Sequence, residues 1–213
     1  YLEALNSETV YLFDENQSAI QKIDLDRRVL TSTSHYEKEG PNGIGTYLSN
    51  FQPLANDRFL IVSDQTQGVF NSGGIKERDL KLSNFSEPES ASQQELQLPF
   101  EMQVSTDGKL AFALVGDFFE GAWNFLRINL ENNSLKTWEM PELLYSKNFT
   151  IILKSNDGFN LRAEDIHLRQ LNDKVLVTAG NTSSIYSYDP ASDSLAFVRF
   201  PHELTAKEKT GNY

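Results

Sequence analysis

Short apolar runs separated by polar, Asx-rich turns recur along this chain. Val10-Tyr11-Leu12-Phe13, Phe59-Leu60-Ile61-Val62, Leu110-Ala111-Phe112-Ala113-Leu114 and Val175-Leu176-Val177-Thr178 are the clearest. Their length, their β-branched and aromatic content and the turn residues that bound them predict strands. Pro141-Glu142-Leu143-Leu144-Tyr145 reads as one helical turn with Pro near its start.

Laid against itself, the chain repeats. Strands end on Asp14, Asn129 and Asp189, with an apolar residue six positions later (Ile20, Leu135, Leu195) and another nine later (Ile23, Trp138, Val198). This is the signature of a β-hairpin in which the Asx ends one strand and starts the turn. A degenerate copy is Asn71-Ser72-Gly73-Gly74-Ile75. A second marker is the apolar strand that follows Asn56-Asp57, Asp107-Gly108 or Asn172-Asp173 and leads to Asp64, Asp117 or Asn181, with Leu2-Glu3-Ala4-Leu5-Asn6 as its first copy. Two markers sharing one period of about 55–60 residues indicate a repeat architecture.

Each unit reads as four antiparallel strands, A to D, with A at residues 47–54, 100–105 and 165–171. Four-stranded units at this spacing predict an all-β fold, a β-propeller in a single domain over 1–213, with blades near 1–34, 46–85, 99–141 and 164–201. In this register the chain opens in strand B of its first unit and closes after strand D of its fourth. It is therefore expected to be part of a six- or seven-bladed ring.

Composition narrows the partners. The 14 Phe, 8 Tyr and 2 Trp suffice for a large core, and a net charge of −11 disfavours nucleic acid and anionic lipid. The chain has no cysteine, so disulfides and thiolate metal sites are excluded. No run approaches the roughly 18 apolar residues of a membrane span, so this segment is not expected to insert into a bilayer.

Candidate chemistry is sparse. His35, His167 and His202 fall in different units without metal-ligand spacing and read as ordinary surface or core residues. The Asx residues after strand B (Asn6, Asp64, Asp117, Asn181) would gather at one end of the ring. Each can cap its own hairpin. Alternatively, Asp64 and Asp117 could hold calcium through oxygen ligands; no other cofactor is indicated. The Glu39-Gly40-Pro41-Asn42-Gly43 segment sets a tight turn, with Asn42 as a candidate ligand contact. The third B–C loop departs from its small, polar counterparts: Asp117-Phe118-Phe119-Glu120-Gly121-Ala122-Trp123. Aromatics beside acids at a hairpin tip suit carbohydrate or peptide, and Asp117, Phe118, Phe119, Glu120 and Trp123 are the candidate ligand contacts. Packing of the same rings between blades is the structural alternative.

The chain resembles the uncharacterised six- or seven-bladed propeller lipoproteins of Bacteroides-type bacteria, broadly similar to the TolB-like propeller group. The residues that carry the resemblance are Glu39-Gly40-Pro41-Asn42-Gly43, the repeated Asx hairpins and Leu204-Thr205-Ala206-Lys207-Glu208-Lys209. It implies a periplasmic or cell-surface lipoprotein of no assigned activity, although neither a signal nor an anchoring cysteine is present in this chain. Two functions follow. One is a monomeric, non-catalytic binding or scaffolding propeller of the cell envelope that engages a protein or glycan. The other is a calcium-dependent propeller hydrolase or lactonase.

Overall fold

The computed structural model describes residues 2–4, 8–85, 99, 101–117, 121–155, 158–163, 165–180 and 184–200. Four sheets follow one another, each of four antiparallel strands in sequence order. The first comprises β1 (Leu2–Ala4), β2 (Thr9–Asp14), β3 (Ala19–Asp24) and β4 (Val29–His35); the second, β5 (Leu48–Leu54), β6 (Arg58–Ser63), β7 (Gln67–Asn71) and β8 (Lys76–Asp79). The third comprises β9 (Glu101–Val104), β10 (Leu110–Asp117), β11 (Ala122–Asn129) and β12 (Ser134–Glu139). After a hairpin of β13 (Ile151–Ser155) and β14 (Gly158–Arg162) comes the fourth sheet: β15 (Ile166–Leu171), β16 (Lys174–Ala179), β17 (Ser184–Asp189) and β18 (Ser194–Arg199). These are the blades of a β-propeller, with β1, β5, β9 and β15 as inner strands.

The first sheet corrects the register read from sequence. Leu25 N bonds to Glu8 O across β2 and β3 as Leu130 N bonds to Lys109 O across β10 and β11. Tyr36 N reaches Ser18 O just as Met140 N reaches Trp123 O and Leu80 N reaches Gln67 O. Hence β3 and β4 are strands C and D, and β1 is strand A rather than B. Asp14 ends strand B; the true counterpart of Asn129 and Asp189 is Asp24, with Leu30 six positions on. Sequence confused the two because the same turn closes both hairpins. The fourth residue after Asp14, Asp24, Asn129 or Asp189 (Ser18, Arg28, Asn133, Asp193) has positive φ, between 49° and 57°. Each Asx side chain caps the turn it opens: Asp14 accepts from Asn16 N, Asp24 from Arg27 N, Asn129 from Glu131 N and Asp189 from Ala191 N, all at 2.8–2.9 Å.

Three cores fill the spaces between successive sheets, and alternation along the B strands supplies two of them at once. Phe59 and Ile61 enter the core shared with the first sheet, whereas Leu60 and Val62 enter the core shared with the third. Ala111, Ala113 and Val115 likewise face the second sheet, while Phe112 and Leu114 face the fourth. A strand with a neighbour on each side thus reads as an uninterrupted apolar run.

The inner strands are joined by side chains rather than by a ladder of their own. Asn50 of β5 donates to Met102 O at 2.9 Å and accepts from Met102 N at 3.3 Å. Gln52 repeats this on Val104, at 3.0 and 2.8 Å. One blade on, Gln103 donates to Leu168 O (2.9 Å) and accepts from Gln170 N (3.0 Å), and Glu101 accepts from Leu168 N. An amide carries both donor and acceptor, so at alternate positions it satisfies both free main-chain groups of the next inner edge.

Farther out, cations reach from one blade to the turns of the next. Lys22 Nζ lies 2.9 Å from Asp57, and Arg78 donates to Leu130 O. Asp193 takes Lys136 at 2.9 Å, Arg127 at 3.3 Å and the Tyr188 hydroxyl at 2.6 Å. Burial alone would raise the Asp193 pKa; the Tyr188 hydroxyl and the Lys136 and Arg127 charges outweigh it and hold the carboxyl below the ordinary value.

Two outcomes are expected. Gln52→Leu leaves Val104 N without its acceptor and should lower unfolding free energy by about 1–3 kcal/mol. Gln52→Glu keeps the acceptor but turns a second carboxylate oxygen on Val104 O, so it should also lose stability; denaturant titration of both variants checks the requirement for an amide. Because the folded Asp193 pKa is depressed, its stabilisation is present above the unfolded value of about 3.9 and lost as pH falls through the folded one. The melting temperature of Asp193→Asn should therefore fall less steeply than that of the wild type below about pH 4; parallel curves would discount the cluster.

Candidate ligand-binding face

The two ends of the blades differ. At one end lie the A–B and C–D turns, which are short and largely capped by their own Asx or Ser side chains: residues 55–57, 72–75, 105–109, 130–133 and 190–193 among them. At the other end lie the B–C loops and the D–A connections, described over residues 36–47, 80–85, 140–155 and 158–163; the first of these runs from the 72–75 turn of the second blade, where Asn42 meets Lys76, to that blade's B–C loop, where Tyr47 meets Asp64.

The first D–A connection is tightly built. Gly43 N bonds to Gly40 O (2.9 Å), Ile44 N to Glu37 O (2.9 Å) and Gly45 N to Lys38 O (3.1 Å). A Cβ at Gly43 would collide with the Glu39 main chain, which explains glycine there. Asn42 is half-buried, and its Oδ1 accepts from Lys76 N at 3.0 Å. Asp64 accepts from Tyr47 N at 3.2 Å and donates its own N–H to Tyr47 O at 3.1 Å. Both side chains therefore tie the connection to the second blade.

In the third blade, β10 and β11 run on to an Asp117↔Ala122 pair, the last before the tip. Phe118, Phe119 and Glu120 lie outside the described residues, as does the Asp117 side chain. Gly121 closes the tip at φ 68°. Trp123 is not at the surface: only 2% exposed, it packs across its strand partner Gly116, where any Cβ would strike the indole. Of the two readings open to it, ligand contact and packing between blades, the ring takes the second, in the core between the third and fourth blades. The reason is register, because the hairpin is longer than its counterparts and position 123 falls inside the sheet.

The third D–A connection lies against this hairpin. A 3₁₀ stretch, Pro141–Phe149, replaces the expected single helical turn; Leu143 is buried, and the Tyr186 hydroxyl accepts from Glu142 N at 3.0 Å. The Leu144 carbonyl and Lys147 approach Gly121, while the Leu144 and Leu153 side chains are both 45% exposed. The hairpin of β13 and β14 extends the same connection.

Because strand A starts at this end, the inner rim also contributes. Glu101, 8% exposed, meets Arg169 Nη1 at 3.0 Å and His167 Nδ1 at 3.4 Å. Arg169 and His167 are half-exposed and occupy the positions that Asn50 and Gln52, and then Glu101 and Gln103, hold in the preceding inner strands. Sequence reasoning passed over this trio. The signal for it was the pair of polar residues spaced by one in each A strand: Asn50 and Gln52, Glu101 and Gln103, His167 and Arg169. His35 ends β4 and is exposed; His202, Asn6 and Asn181 lie outside the described residues. Among the described residues no three His, Asp or Glu side chains gather as a metal site.

Comparisons with known proteins follow the architecture. No curated protein matches the chain. A solved structure of a DUF4221 family member from Bacteroides vulgatus is 12% identical, with a TM-score of 0.57, covering 94% of this chain and 57% of that one. Hydrazine synthase of Kuenenia stuttgartiensis is 12% identical at a TM-score of 0.49, covering 93% and 53%. A chain of a nidogen/laminin complex is 11% identical at 0.42, covering 93% and 78%. The chain thus spans little more than half the length of the first two. At these identities the likeness is one of fold. Among protein families, residues 1–213 match the one described as a domain of unknown function, DUF4221, and the chain belongs to that family.

Proposed function

We propose that this chain is part of a non-catalytic binding or scaffolding propeller of the bacterial cell envelope, and that it engages a protein or a glycan through the end bearing the B–C and D–A loops. The observation that carries this reading is the asymmetry between the two ends. One is made of short, self-capped turns. The other holds the long connections, with the third B–C hairpin braced by the 3₁₀ stretch and Glu101, His167 and Arg169 at the inner rim. Loops held on a rigid scaffold are where recognition concentrates. The carboxylates and amides expected to act are engaged in holding the main chain: Asp64 on Tyr47 N, Asn42 on Lys76 N. A periplasmic or cell-surface lipoprotein accords with a family that has a Bacteroides member. Among the described residues no helix is long and apolar enough to cross a membrane.

The test uses the full-length protein on glycan and peptide arrays. Replacing residues 118–121 with a tight two-residue turn should abolish the array signal and leave the melting temperature nearly unchanged. Trp123→Ala should instead cost about 3–5 kcal/mol of stability, as a truncated core aromatic does. A signal indifferent to the loop replacement would sink the assignment of the face. A saturable calcium stabilisation lost in Asp64→Ala would favour the calcium-dependent hydrolase or lactonase in its place.

A further inference from the structure

Away from the loop-bearing end, a cleft of about 280 Å³ opens between the first and second blades. Its bottom is aromatic: Tyr11 and Phe59 meet edge to face, with ring centroids 5.3 Å apart. Above them Lys22 Nζ lies 5.8 Å from the Tyr11 centroid and 2.9 Å from Asp57 Oδ1. The hydroxyl-bearing Ser32 and Ser34 supply one wall, and Ser72 of the second blade faces them.

The strand that carries these serines is locally distorted. Between β3 and β4, Lys22 pairs with Ser32 but Ile23 pairs with Leu30, so Thr31 is an extra residue, and its hydroxyl donates to Lys22 O at 3.0 Å. A bulge of this kind re-aims the side chains beside it and is over-represented next to functional sites. Ser32 and Ser34 are set opposite Lys22 and Ile20 and line the cleft, with Thr33 between them. The opposite wall is equally fixed: Asp57 sits in a turn at φ 49°, a conformation that Asp tolerates.

The chemistry of the lining selects a ligand class. Lys22 and Asp57 cancel each other, so the cleft gives no net attraction to an anion or a cation, and the protein as a whole, at −11, repels anions. What remains is a set of hydroxyls able both to donate and to accept, one ammonium and one carboxylate, above the buried Tyr11, Phe59 and Ile20. A neutral polyhydroxylated molecule presents the matching donors and acceptors in its O–H groups. At about 280 Å³ the cleft has room for a single sugar ring.

We propose that the cleft between the first and second blades binds one neutral pyranose unit, with Lys22 donating to and Asp57 accepting from its hydroxyls. The site is independent of the loop-bearing face.

Saturation-transfer NMR on the full-length protein, with methyl glucoside, methyl galactoside and methyl mannoside as probes, tests it. At least one should give a saturable signal that weakens about tenfold or more in Lys22→Gln and in Asp57→Asn. Both variants should melt close to the wild type, because an exposed ion pair contributes little to stability and Asn keeps the positive-φ turn. The signal should persist when residues 118–121 are replaced, which separates this site from the face proposed above. No saturable signal from any of the three sugars would overturn the proposal. So would binding unaffected by either variant, or binding confined to charged sugars such as glucuronate.

Discussion

A blade's inner strand has a sheet on one side and a bare main-chain edge on the other, and the fold depends on how that edge is satisfied. Here the partner is a side-chain amide from the preceding blade, at two positions spaced by one. Asn50 and Gln52 occupy both the N–H and the C=O of Met102 and Val104, as another strand would. A further strand at this edge would invite pairing with other chains. An amide gives the same bonds, sets the spacing of the blades and leaves the edge closed. Val104 O accepts from Gln52 on one side and from Gln170 on the other, at 3.0 and 2.8 Å, so three successive blades meet at one carbonyl.

That constraint explains a pattern that propensity alone would count against a strand. Asn and Gln are poor choices for a buried strand, yet they recur in the most central ones because their polar ends are consumed by neighbouring backbone. In the fourth inner strand His167 and Arg169 take the same places and turn back onto Glu101 instead. The change to an imidazole and a guanidinium alters the local chemistry without altering the alternation. The rim is therefore the part of the scaffold where sequence can vary in function while the strand keeps its shape.

The blade pattern was legible because two independent physical requirements mark it. An Asx must open each tight turn, and a strand between two neighbours must be apolar on both faces. Phe59-Leu60-Ile61-Val62 meets the second requirement residue by residue, with successive side chains entering different cores. The first requirement was also the source of error. Asp14 and Asp24 open turns of the same geometry, so spacing alone could not tell a B–C hairpin from a C–D hairpin in the first blade. Only the cross-strand bonds of Leu25 and Tyr36 fix which strand is which. Trp123 takes the packing role rather than the ligand contact for a related reason. Its neighbours are polar or small, as in a loop, but Gly116 opposite leaves room for an indole, and the hairpin is extended to enclose it.

Candidate binding groups were less legible because most polar residues in this molecule serve its own main chain. Asp64, Asn42 and the four turn-opening Asx residues are conspicuous in sequence, and each has a main-chain N–H to accept from. Lys22, Asp57, Ser32 and Ser34 form no local motif; two sheets and a bulge bring them together. Residues whose hydrogen bonds are local announce themselves by spacing. Residues that meet only across an interface between blades do not, so in a propeller the seams are where recognition chemistry can be present and unread. The acidic surface adds a selection of its own: a seam that cancels its charges internally, as Lys22 and Asp57 do, can accept a neutral polar ligand where an unpaired cation would draw the protein's own carboxylates instead.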